Sequence, residues 1–225
     1  MYSLSDIAGI AISLVLVMFS ATLHEVAHGY AAYRLGDPTA KMAGRLTLNP
    51  KAHIDPTGSV VLPLIMAIAG GPIFAFAKPV PYNPNNLRNP VRDEVIVAFA
   101  GPACNIAQAA VGAVVLRLLW RYAYPAVGAD ASVVFAYIAY ILGSYIYINL
   151  QLAFFNLIPL PPLDGSSIVS PLLHGEARVK YYEVQHYAMP ILLIALYVLP
   201  MVLRVDPIGI YLDATAGRMF DLMMG

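Results

Sequence analysis

From Ile7 to Leu23 the chain carries no charged side chain, and the apolar run continues to Tyr33 broken only by His24, Glu25 and His28. An α-helix rises 1.5 Å per residue, so about 20 such residues cross the hydrocarbon core of a bilayer. Composition separates a membrane helix from the interior of a large soluble fold. Of 225 residues, 60% are hydrophobic and 12% charged, where soluble domains carry roughly 45–50% and about 25%. The chain therefore reads as a membrane protein. Thirteen basic and thirteen acidic residues balance to zero, which leaves no basic surplus for nucleic acid and no acidic tail. The single cysteine, Cys104, excludes an intrachain disulfide framework and a cysteine-based zinc cluster. The first twenty residues lack a basic n-region and a small-residue cleavage site, so they are expected to form a retained helix.

Four further segments are apolar enough to read as spans. Ser59 to Ala77 contains Pro63, Gly70, Gly71 and Pro72, breakers tolerated at membrane depth only beside protein or a wet cavity. Val95 to Trp120 is interrupted by "AGPACN", Val133 to Ile158 ends in prolines, and Tyr187 to Leu203 is short and bracketed by Pro190 and Pro200. The tail from Pro207 reads as an interfacial helix. "PTAKMAGRLTLNPKAHIDPTG" has β-favouring pieces around Gly44 and suggests a small hairpin, while "AKPVPYNPNNLRNP" is too proline-punctuated for a helix. The expected fold is an all-α polytopic membrane protein of about five to six transmembrane helices, several broken by Pro or Gly. A β-hairpin and re-entrant loops are expected around its site, in a single membrane-embedded domain over residues 1–225. No basic residue precedes the first span and four follow it, so the positive-inside bias favours an outside N-terminus.

"HEVAH" places His24 and His28 at i and i+4, one turn apart on one helix face. Two imidazoles so placed can bind one zinc ion, with Glu25 beside them to handle a water proton. A metal also accounts for the location, because ionisable groups in hydrocarbon pair or line a cavity. The bland alternative is a helix end reaching the interface. A third ligand decides between them, and the candidates are His53, Asp55, Asp164, His174, Glu176, Glu183 and His186. Asp164 is the strongest, directly after an apolar helix ended by Pro159, Pro161 and Pro162, with Gly165 free to turn where other residues would resist.

"HEVAH", "NPKAHIDPTG" and the distant "NLIPLPPLDG" together resemble the site-2 protease family of intramembrane zinc metalloproteases. Asn156, Pro159, Pro161, Leu163, Asp164 and Gly165 match that family's second motif, and the three elements cover residues 24 to 165 in the expected order. The resemblance implies an endopeptidase cutting peptide bonds in or near transmembrane segments of membrane-protein or peptide substrates. It implies one Zn²⁺ per chain, held by His24, His28 and Asp164, with Glu25 as general base and acid. The sequence resembles the compact branch, without appended soluble modules, and such a domain suits a prokaryotic plasma membrane.

An oxyanion formed at the scissile amide needs donors besides the metal. His53, which Asp55 would orient, and Asn156 are the candidates. Asn149 and Asn105 read as packing glue between helices. Cleavage also requires an unwound substrate, and Ala40 to Leu48 is the expected edge for capturing extended backbone. A zinc or proton transporter is the rival from another class, since buried histidines with broken helices also describe ion pathways.

Overall fold

The structure, a computed structural model, describes residues 4–55, 58, 61, 78–126, 132–185 and 187–225. Helix α1, Leu4–Arg34, runs unbroken through the histidine motif. It stops where Gly36 adopts φ +116°, a conformation without steric cost only for glycine, and the Asp37 amide folds back to the Ala32 carbonyl at 2.9 Å. A single helical turn follows, α2 (Thr39–Met42). Helix α3, Pro90–Leu118, continues into a wider turn at Leu119–Ala123, and α4 spans Ser132–Asn156. The short α5, Asp164–Val169, and α6, Glu176–Gln185, precede α7, Ala188–Leu193, which widens over Ile194–Leu203. The tail is helical from Pro207 to Met224, as α8 (Pro207–Leu212), a wide turn, and α9 (Arg218–Met224).

Three helical stretches are long and apolar enough to cross a membrane, Ala8–Arg34, Pro90–Ala123 and Ser132–Asn156. Glu176–Val184 and Ala188–Leu203, bent by 65°, make a fourth if the pair is one span. Spans among the described residues thus number three to four, fewer than the five to six expected, and Ser59–Ala77 falls outside those residues apart from Val61. The chain is a multi-pass integral membrane protein.

The expected β-hairpin is absent, and no strand occurs among the described residues. Around Gly44 the amides of Met42, Ala43 and Arg45 bond back to the carbonyls of Pro38, Thr39 and Ala40, so ladder donors are spent locally. A second departure concerns "AGPACN". Pro102 removes the amide that would bond the Ala98 carbonyl, yet α3 runs straight through it.

α3 is the platform on which α1, α4 and α5 pack. Lipid is as apolar as a side chain, so close backbone approach rather than water exclusion drives such packing. Small residues on α3 permit it: a Cβ at Gly112 would stand 2.9 Å from Ile146 Cγ1 of α4. Ala109, Ala113 and Leu116 then enclose Ile146 and Leu150, with Ala216 of the tail fully buried against them. The tail is therefore part of the helical core rather than a separate surface helix.

Asp37 locks the loops to the end of α1. Its buried carboxylate accepts from the Thr39 amide (3.1 Å) and hydroxyl, the Asn83 amide (2.7 Å) and Asn86 Nδ2 (2.8 Å). Burial pushes its pKa up, but the bonds from Asn86, Thr39 and Asn83 outweigh burial and hold it below the usual carboxylate range. Stability from this clamp is present above the unfolded-state value of about 3.9 and is lost as pH falls through the lowered folded value. Asp37→Ala orphans several donors at once, and should cost about 2–4 kcal/mol, read as a lower Tm at neutral pH. The deficit should shrink below about pH 4, where the parent loses the same contribution.

Candidate metal centre

Because α1 is continuous, His24 and His28 leave one face a turn apart. Their rings meet edge to face with centroids 4.6 Å apart, and their Nε2 atoms lie 3.0 Å apart. α3 admits both rings because position 101 has no side chain. A Cβ on Gly101 would overlap His28 Nε2 and come within 2.6 Å of His24 Nε2. α3 also anchors the far side of each ring: His24 Nδ1 donates to Asn105 Oδ1 at 2.6 Å, and His28 Nδ1 to the Val97 carbonyl at 2.7 Å. Those oxygens only accept, so each Nδ1 carries a hydrogen, and in the neutral ring each Nε2 is left with a bare lone pair.

The carboxylate of Asp164 faces those lone pairs. Oδ2 lies 3.1 Å from His24 Nε2, and Oδ1 lies 3.3 Å from His28 Nε2. With both Nε2 bare, the short Oδ2 contact sets acceptor against acceptor, consistent with Oδ2 being buried without a hydrogen-bond partner. Such a cluster repels itself unless a cation lies within it. Ligand atoms about 2.0–2.1 Å from a tetrahedral zinc are about 3.3 Å from one another. The two Nε2 atoms, 3.0 Å apart, and the Asp164 carboxylate, with one oxygen 3.1 Å from His24 and the other 3.3 Å from His28, are near that spacing. His24, His28 and Asp164 are the one group of metal-ligating side chains among the described residues that could hold a metal.

The sequence folds locally to bring Asp164 there. α4 stops at Asn156, and Leu157 to Leu163 turn back under Pro159, Pro161 and Pro162. Tyr181 of α6 pins this turn, its hydroxyl donating to the Pro159 carbonyl at 3.0 Å. Gly165 permits the turn expected of it through space rather than through a positive φ. A Cβ there would overlap the Leu157 carbonyl and stand 2.5 Å from that of Ile158, so its absence lets the turn close on the start of α5.

Glu25 lines the cavity that the three residues open into, a space of about 1440 Å³. Its Oε2 accepts the Val80 amide at 2.7 Å. The segment around Val80 is set by prolines at 79, 81 and 84, which bias the residues before them to extended backbone. One end is tied down by the Lys78 amide on the His53 carbonyl (2.9 Å) and by Arg45 Nη2 on the Lys78 carbonyl (2.6 Å).

The remaining expected residues fall as follows. His53 is buried and lines the cavity, but its Nε2 donates to the Thr47 carbonyl at 2.9 Å and its Nδ1 faces Arg45 Nη2 at 3.5 Å. The ring is thus oriented by Thr47 and Arg45, while Asp55 Oδ1 accepts the Gly58 amide. Asn156 lines the cavity too, with Nδ2 donating to the Leu152 carbonyl one turn back at 2.9 Å. His174, Glu176 and Glu183 are exposed and outside the cluster, and His186 lies outside the described residues. Sequence reasoning missed Gly101 and the tie between Asn105 and His24. The Gly-x-x-x-Asn spacing was the available signal: it repeats on α3 the one-turn separation of the two histidines.

The added methyl of Gly101→Ala would fall on both imidazole Nε2 atoms while α3 stays helical. Zinc affinity should drop about tenfold or more with the helical circular dichroism retained, as read by chelator competition.

The profile of peptidase family M50 matches residues 123–199. The chain is 36% identical over 210 residues to a Bacillus subtilis protein named "Putative zinc metalloprotease YwhC", covering 93% of this chain and 86% of that one. It is 31% identical over 161 residues to Rip2 of Mycolicibacterium smegmatis, with the same description, covering 72% of this chain and 57% of the relative. No solved structure matches significantly. A group of two histidines and an aspartate that could hold a metal, and 36% identity over most of both chains, agree on one conclusion: the chain belongs to peptidase family M50, the site-2 protease family, and is a zinc metalloendopeptidase.

Proposed function

We propose that this enzyme hydrolyses peptide bonds in or near transmembrane segments of membrane proteins, with His24, His28 and Asp164 holding its zinc. The convergence of those three side chains beside Glu25, at one end of a cavity bounded by apolar helix faces, carries the reading. Gly9, Val17 and Ala21 of α1 and Ile148 and Leu152 of α4 line the same space. A wall of that kind suits a hydrophobic substrate segment brought in from lipid. Site-2 proteases act on membrane-protein substrates in the bilayer. Both relatives named above are bacterial, which favours the plasma membrane as the location.

Zinc, when bound, supplies Lewis-acid polarisation of the reacting oxygen atoms. The protein's own groups do the rest. Glu25 takes a proton from the attacking water and returns it to the leaving nitrogen. The Val80 amide fixes Oε2, so Oε1 is the proton-accepting atom. Asn156 would donate to the developing oxyanion on releasing the Leu152 carbonyl, and His53 would act there only if its Nε2 leaves Thr47. The proline-punctuated, non-helical segment from Lys78 to Tyr82, rather than Ala40 to Leu48, is the rail along which an unwound substrate would lie. Pro79, Val80 and Tyr82 all border the cavity. A zinc or proton transporter is not favoured, since a relay needs further stations and the described residues hold one such cluster.

Glu25→Gln should keep stoichiometric zinc and lose about 10²–10⁴ in cleavage of a membrane-helix substrate in detergent. Undiminished cleavage would remove Glu25 from the mechanism. Asp164→Ala should lose the metal itself, read by elemental analysis of the purified protein.

A further inference from the structure

Two asparagines lie deep in the seam where α1, α3 and α4 meet, and the steps above do not use them. Asn105 and Asn149 are both fully buried, as is Ser20 beside them. Asn105 Nδ2 donates to Asn149 Oδ1 at 2.9 Å, and Asn149 Nδ2 donates to Ser20 Oγ at 3.0 Å and to the Tyr145 carbonyl at 2.9 Å. At the other end stands His24 Nδ1 on Asn105 Oδ1, at 2.6 Å.

An asparagine amide has nearly the same shape either way round but opposite polarity, so its hydrogen-bond partners decide its orientation. A backbone carbonyl has no such freedom. The Tyr145 carbonyl belongs to α4 and can only accept. It forces Asn149 to turn Nδ2 toward it, which aims Oδ1 at Asn105. Asn105 must then offer Nδ2 to Asn149 and Oδ1 to His24. His24 in turn must carry its hydrogen on Nδ1, leaving Nε2 bare toward Asp164. The Ser20 hydroxyl can donate or accept, but reversing the Asn149 amide would set its oxygen against the Tyr145 carbonyl, and reversing either amide alone would oppose like groups between the two asparagines, at about 1–3 kcal/mol for each buried group orphaned. His28 needs no such chain, because the Val97 carbonyl meets its Nδ1 directly.

We propose that Asn149 and Asn105 are positioning residues that carry the polarity of the Tyr145 carbonyl across three helices to set the metal-binding tautomer of His24. The proposal rests on the zinc reading of the His24, His28 and Asp164 cluster. It assigns Asn149, which touches none of the three, a role in metal affinity.

Asn149→Leu removes the reference and frees the Asn105 amide to present either end to His24. Zinc bound to the purified full-length chain, measured by chelator competition, should weaken about 10–100-fold. The visible spectrum of the Co²⁺-loaded protein should shift, which a merely structural role would not require. Asn105→Asp should restore most of the affinity in the Asn149→Leu background, because a carboxylate accepts from His24 whichever oxygen faces it. Parental affinity and spectrum in Asn149→Leu, or no recovery in the double variant, would overturn the relay. Should Asn149→Leu fail to fold, the comparison moves to position 105. There Asn105→Asp should hold zinc and Asn105→Leu should lose it, and equal affinities would overturn the proposal. Asp164→Ala separates the two ideas. Zinc retained in that variant sinks the metal-site reading, whereas zinc lost there but unchanged in Asn149→Leu sinks the relay alone.

Discussion

Two imidazole nitrogens and a carboxylate meet within a few ångströms in a largely apolar interior, an arrangement that a shared cation or proton satisfies, and much of the local structure serves that meeting. α3 gives up a side chain at Gly101 to make room for the rings. The turn after α4 gives up another at Gly165, so that Asp164 can return to α1. The prolines that end α4 prevent the helix from carrying Asp164 a further turn away. Each feature is a loss of helix or of side chain, and on the zinc reading proposed above the bound ion would contribute free energy that offsets it.

The main chain supplies most of the orientation. His28 is referenced to the Val97 carbonyl, Glu25 to the Val80 amide and Asn149 to the Tyr145 carbonyl. Helix backbone is the stiffest material available at membrane depth, since every polar group in it must already be satisfied. Side chains that hang on it inherit that stiffness. The loop segment at Val80 is less regular, and it is held at its ends by Arg45 and His53 on one side and by Asp37 on the other.

How much of this was legible in the sequence follows from the range of the interactions. The histidine pair was readable because its geometry lies within one helical turn. Asp164 was readable because proline, glycine and a lone carboxylate announce an unwound end. The hairpin at Ala40 to Leu48 was misread, because β-favouring side chains say nothing about whether amides are already spent on nearby carbonyls. Asn105 was taken for packing glue, and for Asn149 that is half true. What a single chain of letters does not carry is the partner: His24 and Asn105 are 81 residues apart, and Asn149 and Ser20 are 129. Of the spans expected, three to four lie among the described residues, the fourth only if the pair bent by 65° is one span, and Ser59–Ala77 falls outside those residues apart from Val61.

The contact between Glu25 and position 80 has a consequence of its own. A hydrogen donated by the peptide group is indifferent to the side chain that accompanies it, so nineteen of the twenty coded residues bring the same donor there and only proline does not. That locus can drift in sequence while its chemistry stands still, and variation at 80 among related chains would be a poor guide to its importance.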